Sequence, residues 1–205
     1  MTTMAAETIF GIMRHATTVW NQEKRIQGQA RTVLSSDGID EAVAWARALR
    51  YYGWTRLVCS DLTRARHTAD IVNESLRLPL EEDARLREQD WGDWVGRSIR
   101  EIRRDEGVDL RAMENLGWDF RPPDGESRRE VLTRALAALR DAAERHPGER
   151  VLVITHLGVI KCVVYRLMGR DFLPAEPDPL GKRALHRLSC RDGRLAIMNI
   201  NESLV

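Results

Sequence analysis

An α/β fold, a three-layer sandwich around a mainly parallel central sheet, is predicted by three observations on this chain of 205 residues. Near-continuous apolar runs at 8–13 and 151–155 read as central strands covered on both faces. Amphipathic helical stretches alternate with the strand candidates in a βαβα order, which favours parallel pairing with helices on both faces. Late in the chain, Arg191-Asp192-Gly193-Arg194 is a turn signal between two strand candidates and predicts an antiparallel edge.

The first strand is Thr8-Ile9-Phe10-Gly11-Ile12-Met13. Residues 21–35 are polar and contain glycine, so they read as a long loop. Ile39, Ala42, Val43, Ala46 and Leu49 recur at helical spacing and predict a helix over 37–50, capped by Ser36 or Asp37. Leu57-Val58-Cys59 is a short strand ending at Ser60-Asp61. A helix over 62–76 follows, with Ala65, Ala69 and Val72 on one face. Residues 78–86 predict a short strand or extended segment, and 88–96 a compact aromatic and glycine loop containing Trp91, Gly92, Trp94 and Gly96. One or two short helices are expected within 97–118, and 97–124 is expected to form a lid over the sheet end. Arg121-Pro122-Pro123-Asp124-Gly125 interrupts the chain. Glu126-Ser127 then leads into a long helix to about Arg145, with Val131, Ala135, Ala138, Leu139 and Ala142 as its apolar stripe; Pro147-Gly148 stops it. After the strand at 151–155 come a helix over 158–168, a proline-rich loop over 172–182 and strands at 184–190 and 195–200.

A single domain over 1–205 is expected from the length. Charged residues at 31% and hydrophobic ones at 43% are ordinary for a soluble globular protein. The net charge of +1 gives no basic field to attract nucleic acid. Cys59, Cys162 and Cys190 include no CxxC pair, which is cytosol-like usage rather than a disulfide framework, and no metal quartet appears. The N-terminus has no basic segment followed by an apolar one, and no run reaches the roughly 20 apolar residues of a membrane span. A cytoplasmic location with no membrane partner is the resulting expectation. A homodimer is compatible with the chain, but the oligomeric state is not specified by it.

The chemistry gathers at strand ends. Arg14-His15 follows the first strand and His156 follows the strand at 151–155, and open α/β sheets bind ligands at the carboxyl ends of their strands. Four motifs occur in order. They are Arg14-His15-Ala16 with Trp20-Asn21 and Arg25-Ile26-Gln27-Gly28; Ser60-Asp61-Leu62-Thr63-Arg64-Ala65 with Thr68-Ala69; Leu86-Arg87-Glu88 ahead of Gly92-Asp93-Trp94-Val95-Gly96; and Thr155-His156-Leu157-Gly158. In these the chain resembles the histidine phosphatase superfamily, which has the phosphoglycerate mutase-like fold, and within it the small phosphatases.

The resemblance implies that His15 is a nucleophile that takes up a phosphoryl group. It implies that Arg14, Arg64 and His156 line the phosphate pocket and that Glu88 donates a proton to the leaving group. Thr18, Asn21, Gln27, Gly28, Ser127 and Gly158 match positions that approach substrate. Guanidinium forks suit phosphate oxygens. A neutral imidazole is a good nucleophile when its other nitrogen is oriented by a partner, and the carbonyls of Ala16 or Thr17 could supply one. A carboxylic acid that donates near neutrality needs its protonated form favoured, which the charge of a bound phosphate does. Asp90 and Asp93 are alternatives to Glu88 in the same loop. Ala16 and Leu157 stand where glycine is usual in the family, Thr17 where Glu or Gln is, and Lys161 where arginine is frequent.

Other residues have plainer readings. His67, His146 and His186 are expected at the surface or in local hydrogen bonds. Trp91 and Trp94 are expected to brace their loop. Trp118 and Phe120 would either brace the lid or, if exposed, favour a partly apolar leaving group. Glu126 is expected to cap the long helix or to contact substrate. The function expected is that of a metal-independent phosphomonoesterase, without a cofactor, acting on a small phosphorylated metabolite. The alternatives are a phosphoglycerate mutase and a non-catalytic protein that binds phospholigands. Mutases of the family often carry asparagine where this chain has Gly158, which favours the phosphatase.

Overall fold

The computed structural model describes residues 6–105, 109–181 and 183–204. Residues 106–108 of the expected lid and Lys182 of the expected loop lie outside them. Strand β1 (Thr8–Arg14) is flanked by β4 (Arg150–Thr155) and β5 (Ala184–Arg191) in a six-stranded sheet of order β3-β2-β4-β1-β5-β6. Strands β1, β4, β2 (Arg56–Cys59) and β3 (Leu80–Glu82) run parallel; β5 and β6 (Arg194–Ser203) form the antiparallel side.

The strands read as fully covered are so. Alternate residues of β1 face opposite layers, as the two-residue period of a strand requires. Phe10 and Ile12 pack with Val151 and Val153 under α6 (Arg128–Arg145) and α7 (Leu157–Leu167). Met13 packs with Leu152, Ile154 and Leu57 under α2 (Ser36–Leu49) and α3 (Thr63–Leu76). Gly11 lets the Trp54 ring lie directly on the strand, for a Cβ there would come within 2.2 Å of that ring.

Several boundaries differ from expectation. The segment read as a loop from residue 21 overlaps a short helix, α1 (Val19–Gln22), because Thr18 and Asn21 form a capping box. Ser35, not Ser36 or Asp37, caps α2 by accepting from Gly38 N–H at 3.1 Å. Ser127, not Glu126, caps α6 in a second capping box with Glu130. The final strands extend further than expected. Asp192 and Gly193, at φ of 50° and 70°, make a two-residue turn whose twist keeps the ladder intact to Arg191 opposite Arg194.

Two short helices, α4 (Ile99–Asp105) and α5 (Leu110–Glu114), occur within 97–118. Trp94, Ile102, Leu110 and Phe120 form a small core of their own, separate from the two sheet layers. Phe120 and Trp94 are therefore buried braces. Trp118 donates its indole N–H to the Arg170 carbonyl at 2.9 Å and meets the Phe172 ring edge-on, so neither aromatic is offered to solvent as a landing surface. Among the described residues no helix is long and apolar enough to cross a membrane.

Candidate active site

Parallel register brings the strand ends together. Arg14 lies opposite Thr155, and His15 N–H donates to the Thr155 carbonyl at 2.9 Å. Ser60 N–H donates to the Ile154 carbonyl at 3.0 Å. His15, His156 and Ser60 thereby share the carboxyl edge of three adjacent strands, as the switch-point rule for open sheets anticipates. The two imidazoles face each other with centroids 5.1 Å apart, and both residues are buried.

Two independent bonds specify the same tautomer of His15. Its Nδ1 lies 2.7 Å from the Ala16 carbonyl, an acceptor, so Nδ1 carries the proton. Its Nε2 receives the Arg64 Nε–H at 3.2 Å, so Nε2 presents a lone pair. Burial, reinforced by the charges of Arg14 and Arg64 and opposed only by the Ala16 bond, holds the His15 pKa well below the usual histidine value. The ring is neutral at physiological pH. The carbonyl orienter read from the sequence is that of Ala16. Ala16 itself, buried and without a positive φ, donates N–H to the Thr68 hydroxyl at 3.1 Å, so this turn needs no glycine. Leu157 likewise has an ordinary φ as the first residue of α7.

Arg64 sits in the first turn of α3 and is almost wholly buried. Its remaining nitrogens donate to the Gly28 carbonyl at 2.7 Å and the Ala30 carbonyl at 3.0 Å. Burial, with Arg14 adding to it, brings Arg64 down to about 10, which leaves it cationic at neutral pH. Arg14 is lowered by burial too, opposed by the charges of Glu88 and Glu41. His156 Nε2 pairs with the Ser60 hydroxyl at 2.8 Å, while its Nδ1 has no partner among the described residues; burial and then the Arg64 charge hold its pKa well below the usual value.

Glu88 reaches the same cavity. Its Oε2 accepts from Gly158 N–H at 3.3 Å and its Oε1 from Gln89 N–H at 2.9 Å. A Cβ on residue 158 would fall 2.2 Å from Glu88 Oε1, so glycine is the residue that admits this carboxylate. A cavity of about 300 Å³ is lined by Arg14, His15, Arg64, Glu88, Asn21, Gln27, Gly28 and Gly158, among others. Most of the expected set is thus brought together. Thr18, Ser127 and His156 do not line the cavity: Thr18 is buried in the α1 cap, Ser127 is committed to the α6 cap, and His156, fully buried, stands behind the His15 ring that it faces. Thr18 and Ser127 are hydroxyls whose role is to satisfy helix N–H groups. Asp90 accepts from Gly92 N–H at 3.0 Å, within its own turn.

Two functional neighbours were missed. Arg134 of α6 donates to the carbonyls of Arg85, Arg87 and Glu88 and pairs with Glu126 at 2.8 Å. Glu126 also accepts from Asp90 N–H at 2.9 Å, which is its role instead of capping or contacting substrate. The sequence signal for Arg134 is an arginine three residues after Val131 and four before Ala138, on the apolar stripe itself. Glu41 of α2 accepts from Thr17 N–H at 2.9 Å and from its hydroxyl at 2.8 Å, which ties down the loop after His15.

Of the other histidines, His67 is exposed and His146 pairs with Glu81 at 3.0 Å. His186 is buried, accepts from Asn201 N–H at 3.3 Å, and is lowered to about 4 by burial. Cys162 also lines the cavity, but burial pushes its thiol up to about 12, so it is no rival nucleophile. Among the described residues no group of three His, Cys, Asp or Glu side chains could hold a metal ion.

Comparison with known proteins agrees with this geometry. The family model for the histidine phosphatase superfamily (branch 1) matches residues 10–203. The probable phosphoglycerate mutase GpmB of Citrobacter koseri is 35% identical over 193 residues, 94% of this chain and 85% of that protein. Bacillus stearothermophilus YhfR superposes with a TM-score of 0.84 at 29% identity, covering 93% of this chain and 95% of that one. The mycobacterial glucosyl-3-phosphoglycerate phosphatase Rv2419c, in a structure with VO3, superposes with a TM-score of 0.81 at 30% identity, covering 97% and 100%. The chain belongs to branch 1 of the histidine phosphatase superfamily, and it is an enzyme of that class.

Proposed function

We propose that this enzyme hydrolyses a small phosphomonoester through a phosphohistidine on His15. The observation that carries the reading is the doubly specified tautomer, which leaves Nε2 as an unprotonated nucleophile beside two guanidinium groups. In the first step Nε2 attacks phosphorus, the P–O bond to the leaving group breaks, and Glu88 gives that oxygen its proton. In the second, water attacks the phosphohistidine while the Glu88 carboxylate takes a proton from it. The N–P bond breaks, and inorganic phosphate leaves. Arg14, Arg64 and His156 hold the equatorial oxygens, where phosphoryl transfer needs charge stabilisation. His156 Nε2 pairs with the Ser60 hydroxyl; with that hydroxyl assigned as the donor, the proton lies on Nδ1, the unpartnered nitrogen, for a phosphate oxygen. Asn21, Gln27, Gly28 and Gly158 complete the wall, with Gly28 acting through its hold on Arg64. The described residues of the lid, 97–105 and 109–124, cover the site, a role supported by the edge-on contact of Trp91, a cavity residue, with Phe120.

A mutase reading draws on the name of the Citrobacter relative. Gly158 supports hydrolysis instead, by the family resemblance in which mutases often carry asparagine at this position. The three free, buried cysteines support a reducing, cytoplasmic compartment. The test is a panel of phosphomonoesters without added metal, together with 3-phosphoglycerate in the presence and absence of 2,3-bisphosphoglycerate. Phosphate release is expected. Exchange of phosphoglycerate isomers with little release would overturn the reading in favour of a mutase, and neither activity would favour a binding protein.

A further inference from the structure

The outer wall of the catalytic cavity contains a guanidinium group that the mechanism does not use. Arg128, the first residue of α6, lines the same cavity as His15, Arg64 and Glu88. It lies between two aromatic rings, 4.4 Å from the centre of Phe120 and 4.1 Å from that of Phe172. One terminal nitrogen, Nη1, donates to the carbonyls of Gly117 at 3.0 Å and Phe172 at 3.1 Å. Among the described residues no carboxylate forms an ion pair with it, although the chain pairs many other arginines. Glu114 shares the adjoining groove without pairing to it.

A guanidinium group stripped of much of its water, clamped by rings and lacking a counterion is costly unless something else supplies the negative charge. The clamp fixes its plane and leaves the Nε and Nη2 edge without an acceptor among the described residues, in the two-point geometry that an oxyanion fills. A second cation stands nearby. Lys161 lines the same cavity, three residues along α7 from Gly158, and is held by Asp178 at 2.6 Å. That spacing places it on the same helix face, about 4.5 Å farther along the axis from the residue that touches Glu88.

We propose that Arg128, assisted by Lys161, is a subsite for a second oxyanion on the substrate. The preferred substrate is then a phosphomonoester that also carries a carboxylate or a second phosphate, with its phosphoryl group at His15 and its other charge at Arg128. The proposal rests on the phosphomonoesterase reading. It adds that the leaving group is anionic. The aromatic clamp makes Arg128 a rigid reader of charge, and the apolar wall of Ile26, Trp91 and Phe172 covers the carbon skeleton between the two anions.

The test compares 3-phosphoglycerate with its methyl ester, neutral at the carboxyl end only, and propane-1,3-diol bisphosphate with the monophosphate, neutral at its free hydroxyl end only, in the wild type and in Arg128→Gln. The wild type should favour the doubly anionic member of at least one pair, and which pair shows the preference separates carboxylate from phosphate. Arg128→Gln should raise KM for that member about 10- to 100-fold, the scale of a lost charge-assisted pair, while changing the neutral member less than about threefold. Arg128→Lys should recover part of the preference. Equal treatment of both members by the wild type, or an equal fall for both in Arg128→Gln, would overturn the subsite while phosphate release still upheld the phosphatase. Calorimetric binding of the same pairs to His15→Ala, which performs no chemistry, keeps the two claims apart. A preference there that Arg128→Gln removes supports the subsite even if no ester is hydrolysed, and equal binding of charged and neutral members overturns it.

Discussion

At the floor of the cavity, His15 is held by its backbone, by both ring nitrogens and by the facing ring of His156. At the outer wall, Arg128 is held by one nitrogen and two aromatic faces, and its remaining edge meets no acceptor among the described residues. The floor is built from strand ends, where ladder register places each residue against its neighbour. The wall combines the first residue of the long helix α6 with Phe120 from the small separate core and Phe172 from a loop at the edge of the layer under α6 and α7. In the proposed mechanism the chemistry is carried by the part of the fold with little freedom, and in the proposed subsite recognition is carried by side chains outside the strand ends.

The largest expected effect on the floor is its sensitivity to acid. His15 and His156 are held well below the usual histidine value and His186 at about 4, in each case chiefly by burial. The folded state resists their protonation, so below about pH 6.5 the unfolded chain binds more protons and gains stability relative to the native state. Urea unfolding should show a loss on the order of a few kcal/mol between pH 6.5 and 5. A flat profile over that window would contradict the buried, neutral floor.

Replacing Arg134 should break the join between floor and wall. Arg134→Met strips three carbonyls of a donor and leaves Glu126 without its cation, held by the Asp90 N–H alone. A loss of about 2 kcal/mol is expected in urea unfolding, from a part-buried pair and its hydrogen bonds. Because the Glu88 carbonyl is one of the three, kcat should fall about 100-fold with little change in KM, as for loss of a positioned acid. A variant that loses stability but keeps wild-type kcat would make Arg134 purely structural.

Gly158→Ala should have a smaller effect, confined to the carboxylate. The nearest atoms to the added Cβ are all at the mobile end of Glu88. Stability should change by less than about 1 kcal/mol, since alanine is the better helix former. Displacement of the acid should lower kcat about 10-fold or more. Unchanged kcat would remove Glu88 from its assigned role.

The same contrast explains what could be read from the chain. The apolar runs of β1 and β4 placed Arg14, His15 and His156 at adjacent strand ends, because a strand has one direction and its carboxyl end one location. Arg64 and Glu88 came from the family resemblance of their motifs, not from the strand pattern. Thr18 and Ser127 were misplaced because a loop hydroxyl before a helix looks the same whether it caps or binds; the decisive partners are the N–H groups of Asn21 and Glu130. Arg134 and Glu41 were hidden among the many charged residues of α6 and α2, and their roles appear only when α6 meets the Glu88 loop and α2 meets Thr17. Arg128 follows the Ser127 cap at the start of α6, and its clamp joins Phe120 to Phe172 across 52 residues of sequence, as no local pattern reveals.

The most direct test of the central claim is the site and atom of phosphorylation. The enzyme is quenched in alkali during turnover of a phosphomonoester, and the trapped species is analysed by peptide mass spectrometry and phosphorus NMR. The tautomer requires a single N–P bond at Nε2 of His15, absent from His15→Ala. Phosphate on His156, on Nδ1 of His15, or still present in His15→Ala would contradict it.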